Sequence, residues 1–372
     1  MAKTPKRAPV KKSARSSTHS PERAPARAKS ATPEAGPVTL DEARALAQPR
    51  QVKRTAAKMA TPPTSPEAVG EERAKLEKKR REEIDRRIQE YTQTMAIMTQ
   101  RGARAPEPKG GGKGKRGAVA AKAVGFRPLQ IFAEGDSWFD YPVPFFGGGI
   151  IPRLERRLGV PILNLAKAGD EVRAMLGVEE RKILTKQLKA GCPSGGQWDV
   201  LLFSGGGNDI VDNPMVLWVR DWDPAIPPAQ HVNQPRFNAA LALVRAGYED
   251  LIELRNQLSP TTQLVLHAYD FAIPDGRGVC FFGPWLKPTF DLRKFPNRAA
   301  MAAVVRSMLE QFAAMLTALA ALPGVTFING QGTLPAQTSS WDNELHPSAA
   351  GFDKFANLFR QQLQVLFPDR VA

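Results

Sequence analysis

LQIFAEGDSW, residues 129–138, opens on a short, mostly apolar run, 129–133, and passes through Glu134 and Gly135 into polar side chains. The same change from apolar to Gly, Pro or Asp recurs at residues 162–165, 200–203, 263–267 and 325–328. Each run has the length of a strand and is mostly apolar, as expected for strands buried on both faces. Helical patterns fill the intervals, at 151–158, 179–190, 237–258, 298–322 and 349–366. Strands that alternate with helices predict an α/β fold with a parallel sheet covered on both sides. Such sheets carry their functional loops at the carboxyl ends of the strands, so the residues just after each run are the ones to inspect.

Charge separates this region from what precedes it. Residues 1–125 hold 29 Lys and Arg against 13 Asp and Glu, a net of +16, and the remaining 247 residues hold 23 against 24, a net of −1. The basic character therefore belongs to the N-terminal part and not to the folded domain. Residues 1–70 are rich in Lys, Arg, Ala and Pro with almost no aromatics, which predicts a disordered tail. Residues 71–100 are densely charged, with Ile84, Ile88, Tyr91, Met95 and Met98 spaced four, three, four and three. That stripe predicts an amphipathic helix, docked on its own domain or paired in a short coiled coil. Residues 101–125 read as a Gly/Lys-rich linker, and 126–372 as the folded domain.

No secretory signal follows the charged first residues, and nothing reaches the roughly 18 apolar residues of a spanning helix. The expectation is a soluble, cytoplasmic protein. Cys192 and Cys280 are too few for a disulfide framework, although one bond between them is compatible with the sequence. No His, Cys or carboxylate cluster has metal spacing, and no cofactor is implied.

Four segments carry the chemistry. Glu134-Gly135-Asp136-Ser137-Trp138 follows the first run, and Asn164 through Gly169-Asp170 follows the second. Gly205-Gly206-Gly207-Asn208-Asp209 follows the third, and Trp341-Asp342-Asn343-Glu344-Leu345-His346-Pro347 stands near the end. The three glycines suggest a phosphate loop, but no Gly-Lys-Ser/Thr follows them. A serine hydroxyl becomes a useful nucleophile when a neighbouring imidazole accepts its proton, and the same imidazole then protonates the leaving group. Donors placed where the carbonyl oxygen gathers charge lower the barrier further.

In the order Ser, Gly, Asn, His, residues 127–366 resemble the SGNH (GDSL-type) hydrolase superfamily. The resemblance implies a flavodoxin-like α/β/α sandwich with a five-stranded parallel sheet. It implies Ser137 as nucleophile and His346 as base, with the Ser137 and Gly169 backbone N–H groups and the Asn208 side chain as oxyanion donors. That chemistry is cleavage of carboxylic esters, esterase- or lipase-like. The same machinery serves carbohydrate deacetylation and acyl transfer. One departure stands out: the family commonly has an aspartate three residues before the histidine, and here that position is Asn343. Asp342, Asn343, Glu344 or a backbone carbonyl are the alternatives for orienting the ring.

Two segments interrupt the regular alternation, 212–235 with Trp218 and Trp222, and 271–295 with Phe281, Phe282 and Trp285. With Trp138 and with His267 at a strand end, these aromatics are candidate walls of a substrate pocket. The basic tail suits weak, salt-sensitive binding to nucleic acid or an anionic membrane. An inactive domain on a binding tail is thus the alternative of another class.

Overall fold

Five strands form one sheet: β1 (Ile131–Gly135), β2 (Ile162–Asn164), β3 (Val200–Ser204), β4 (Gln263–His267) and β5 (Val325–Ile328). All are parallel, in the spatial order β2-β1-β3-β4-β5. The computed structural model describes residues 39–47, 66–102, 127–141, 148–193, 195–279 and 283–371. Its helices, in chain order, are α1 (Leu40–Ala47), α2 (Pro66–Gln100), α3 (Ile150–Leu158), α4 (Val172–Met175) and α5 (Val178–Ala190). They continue with α6 (Gly207–Ile210), α7 (Gln234–Leu258), α8 (Lys287–Leu292), α9 (Arg298–Leu319) and α10 (Ala349–Leu366).

The step from β1 to β2 runs one way across the sheet, and every later step runs the other way. Right-handed crossovers therefore send the connecting helices to opposite faces. Accordingly α3 packs with α10, while α5 packs with α7 and α7 with α9. Covering both faces is why every residue of β1 and β3 is buried and why these strands read as mostly apolar runs.

The stripe on α2 docks on the chain's own domain, and this occupies the surface a coiled coil would need. Ile84, Tyr91, Met95 and Met98 are buried in the common core, and Ile88 packs against it. Each such side chain, fully buried, contributes roughly 1.5–3 kcal/mol from the area removed from water. Tyr91 packs on Trp198 with ring centroids 5.5 Å apart, and its hydroxyl lies 3.3 Å from Cys192 Sγ. The charged face of α2 also contributes. Arg80 donates to Leu165 O (2.6 Å), and Arg87 donates to Asn164 O and Ala166 O (2.9 and 3.0 Å). These guanidinium groups satisfy carbonyls along the β2 edge, where no further strand pairs.

Two expectations need correction. Residues 1–70 were expected to lack structure throughout, yet Leu40–Ala47 form α1 against α2. Its start is a capping box: Glu42 N donates to Thr39 Oγ1 (3.3 Å) and Thr39 N to Glu42 Oε2 (2.9 Å). Leu40 and Ala43 are buried, and Arg44 pairs with Glu155 of α3. The helix on 71–100 begins earlier, at Pro66. The second correction concerns α9, which is long and apolar enough by length and composition to cross a membrane. Half of its apolar window is buried inside the molecule, as suits a helix covering the sheet, and Arg306 and Glu310 break the uninterrupted run. The rest of the tail, residues 103–125 of the linker, Cys280, Phe281 and Phe282 lie outside the described residues.

Candidate active site

β1 and β3 are neighbours at the point where the strand order reverses, the position at which open parallel sheets form a crevice. Ser137 stands just past β1 and Asn208 just past β3, and both line one cavity with His346. Gly206, at φ 96°, makes the turn that presents Asn208, and a side chain there would strike Phe312 and Val244.

Ser137 Oγ lies 2.7 Å from His346 Nε2. The opposite ring nitrogen, Nδ1, lies 2.9 Å from Asn343 Oδ1. The Asn343 amide can be oriented from its partners: Oδ1 also accepts the Leu345 and His346 backbone N–H groups (2.9 and 3.0 Å), and Nδ2 donates to Tyr141 Oη (2.9 Å). Oxygen therefore faces His346, so Nδ1 carries the ring hydrogen and Nε2 presents its lone pair to Ser137. Tyr141 also stacks on the imidazole, centroids 4.3 Å apart at 24°. Burial pushes the His346 pKa down to about 3, so the ring is neutral at ordinary pH. A neutral imidazole against a hydroxyl is an arrangement that can accept a proton as the oxygen attacks.

Asp136 supports the turn that carries Ser137. Its Oδ1 accepts from the Trp138 N–H and the Ser204 hydroxyl (3.0 and 2.9 Å), and its Oδ2 from the Tyr269 hydroxyl (2.5 Å). Ser204 Oγ stands 2.8 Å from His267 Nε2. Burial raises the Asp136 pKa to about 6 and lowers that of His267 to about 4. His267, expected as a pocket wall, is instead a buried, neutral member of this network beneath the turn.

Glu344 ties the histidine loop to segment 271–287. It is buried, and its two oxygens accept four backbone N–H groups: Gly276 and Lys287 on Oε1 (2.9 and 3.0 Å), Trp285 and Leu286 on Oε2 (2.6 and 2.7 Å). Burial raises its pKa while these donors pull against that. Since both oxygens are acceptors, Glu344→Gln must turn its amide nitrogen toward two N–H groups. The glutamine variant should therefore lose nearly as much stability as Glu344→Ala, about 2–4 kcal/mol, read by urea unfolding. A glutamine variant as stable as wild type would contradict this account.

The other expected residues divide. Trp138 lines the cavity, and its Nε1 donates to Leu345 O (3.1 Å), linking the serine and histidine loops. Trp285 stands edge-on to His346, centroids 5.8 Å apart. Asp342 is exposed; its backbone N–H donates to His346 O (2.9 Å), but it is Asn343, not the Asp342 carboxylate, that meets the ring at Nδ1. Trp218 packs near Phe237, and Trp222 stacks on His231 and packs on Phe295, so neither lines the Ser137 cavity. Those two rings fasten their loop to the domain.

Gly169 lies in an exposed turn after β2. Its φ of 85° favours glycine, and a Cβ there would meet no protein atom within 4 Å. The neighbouring turn is held by β3's loop: Asn208 Nδ2 donates to Asp170 O and Asp209 Oδ2 accepts from Val172 N, both at 2.9 Å. One Asn208 amide hydrogen remains without a protein acceptor among the described residues. Among those residues, too, no group of three or more His, Cys, Asp or Glu could hold a metal ion.

The sequence model of the GDSL-like lipase/acylhydrolase family matches residues 135–354, more than half of the chain. No curated protein matches it. Among solved structures, the lipase Lip_vut3 from a goat rumen metagenome is similar at 18% identity, covering 63% of this chain and 96% of its own, with a TM-score of 0.42. An extracellular lipase from Streptomyces rimosus is similar at 16% identity, covering 63% and 99%, with a TM-score of 0.40. The salicylyl-acyltransferase SsfX3 of a tetracycline biosynthetic pathway is similar at 13%, covering 66% and 57%, with a TM-score of 0.36.

Proposed function

The chain belongs to the GDSL-like lipase/acylhydrolase family, and from that premise we propose that it hydrolyses carboxylic esters, with Ser137 as nucleophile and His346 as base. The observation that carries this reading is the continuous chain from Ser137 Oγ through both nitrogens of His346 to Asn343 Oδ1. In the first half-reaction Ser137 Oγ bonds to the ester carbonyl carbon and its proton passes to His346 Nε2. The carbonyl oxygen becomes an oxyanion. The remaining Asn208 amide hydrogen and the Ser137 N–H are its assigned donors, with the Gly169 N–H added from the family pattern. When the tetrahedral adduct collapses, the bond to the alkoxide breaks and His346 returns the proton to the departing alcohol, leaving an acyl-serine.

Water then repeats the sequence. It loses a proton to His346 and attacks the acyl carbon, and the proton returns to Ser137 Oγ as the carboxylic acid departs. Asn343 has no charge to offer the transient imidazolium; its part is to hold the Nδ1–H tautomer, which its two backbone N–H partners make possible by fixing its own orientation.

Labelling with an alkyl fluorophosphonate, followed by peptide mass spectrometry, tests the assignment. The expected result is a single adduct on the peptide containing Ser137, together with hydrolysis of 4-nitrophenyl acetate that the label abolishes. Folded protein that takes no label and cleaves no ester would overturn the reading.

A further inference from the structure

The cavity at Ser137 is small and its far wall is made of core side chains. Its volume is about 40 Å³. Ser137, Asn208 and His346 stand at it, and the apolar lining includes Ile210 of α6, Leu286, and Val305, Met308 and Leu309 of α9. These five are all buried, Ile210 and Leu286 completely. They belong to the same cluster as the sheet residues, so the wall cannot retreat without disturbing the core.

Water-sized groups can be centred over only about 40 Å³ of the cavity, so it takes a few such groups and not a long chain. A methylene is close to a water molecule in size. Resting on the ester-hydrolase reading above, we propose that this cavity is the acyl-chain site and that it selects acyl groups of about two to four carbons. Met308 is the residue that sets the depth: it is the longest unbranched side chain of the α9 wall, and truncating it to alanine removes three heavy atoms. A longer acyl chain must displace α9 side chains that have no empty space behind them, and overpacking of this kind is expected to lower turnover by about tenfold or more.

The test is kcat/KM on 4-nitrophenyl esters from acetyl to decanoyl, on full-length wild type, Met308→Ala and Val305→Leu. Wild type should peak between acetyl and butyryl, with octanoyl at least about tenfold below butyryl. Met308→Ala should raise the ratio of octanoyl to butyryl by about tenfold, and Val305→Leu, which narrows the wall, should lower the ratio of butyryl to acetyl. Wild-type rates on decanoyl equal to those on butyryl would overturn the proposal, as would a folded Met308→Ala variant with an unchanged ratio. Should Met308→Ala fail to fold, the wild-type series and Val305→Leu decide on their own. Fluorophosphonate labelling separates the two levels: a Ser137 adduct with no short-chain preference defeats the acyl-length assignment alone, and no adduct with no turnover defeats the hydrolase reading beneath it.

Discussion

Ser137→Ala and His346→Ala should each lower ester turnover by at least about 10⁴-fold, and the double variant should lose little more than either single one. The reason is that the two groups act as a unit. Without the imidazole, the serine oxygen keeps its proton and attacks poorly; without the serine, the imidazole has no hydroxyl within 2.7 Å to activate. Once either is gone, the remaining rate comes from positioning and from the oxyanion donors, which both variants retain. Independent contributions would instead multiply, giving a double variant roughly the product of the two losses. That multiplicative outcome, or a His346→Ala variant within tenfold of wild type, would remove the base assignment. His346 is buried and in contact with Tyr141, so thermal melts of each variant must accompany the rates. A folded, inactive His346→Ala should also resist the fluorophosphonate, because that reagent needs an activated serine.

The strands were legible because burial on both faces leaves an unmistakable composition. The runs at 263–267 and 325–328 coincide with β4 and β5, and the run at 129–133 lies two residues ahead of β1, which ends on Gly135. That slip arises because Leu129 and Gln130 are buried at the entry to the strand without pairing in it, and Glu134 and Gly135 pair although they are not apolar runs in the sequence. The short helices α4, α6 and α8 have too few residues to show a period. Helix α1 did carry a signal, Thr39-x-x-Glu42, submerged in the basic composition around it.

The aromatic loops show a different limit. Composition says that Trp218 and Trp222 will be covered, and not by what; in the event Phe237, His231 and Phe295 cover them. The cavity wall that matters comes from α9, whose Val305, Met308 and Leu309 look like any core stripe. Tyr141, Ser204 and Tyr269 lie far from each other in sequence, and their hydroxyls enter the site's hydrogen bonds from three separate elements, which no spacing rule detects. Asn343 was visible by position, three residues before His346, but the direction in which its amide points depends on backbone N–H groups that only the folded loop brings together.

Replacing that amide should separate orientation from charge. Asn343→Ala removes the acceptor at Nδ1 and should cost about 10²-fold in kcat/KM, since the ring is then free to adopt the tautomer that turns a hydrogen toward Ser137. Asn343→Asp keeps an oxygen for Nδ1–H and for both backbone donors, and Tyr141 can reverse its hydroxyl to donate to the second oxygen. It adds a negative charge 2.9 Å from the ring nitrogen. An opposite charge at that range typically raises a histidine pKa by about 1–3 units. The sign for activity follows from the base being neutral when it works: the acid limb of kcat/KM lies near the pKa of His346, and activity rises with pH through it. In wild type that limb sits near the value of about 3 set by burial, so kcat/KM should be flat from pH 5 to 8. In Asn343→Asp the limb should move upward by about 1–3 units, into the measurable range, with activity retained above it. The profile of the alanine variant should stay flat at its lower level, because no charge has been added. An acid limb that does not move in Asn343→Asp, or an alanine variant as fast as wild type, would mean that Asn343 supports the loop and leaves His346 to be oriented by its packing against Tyr141.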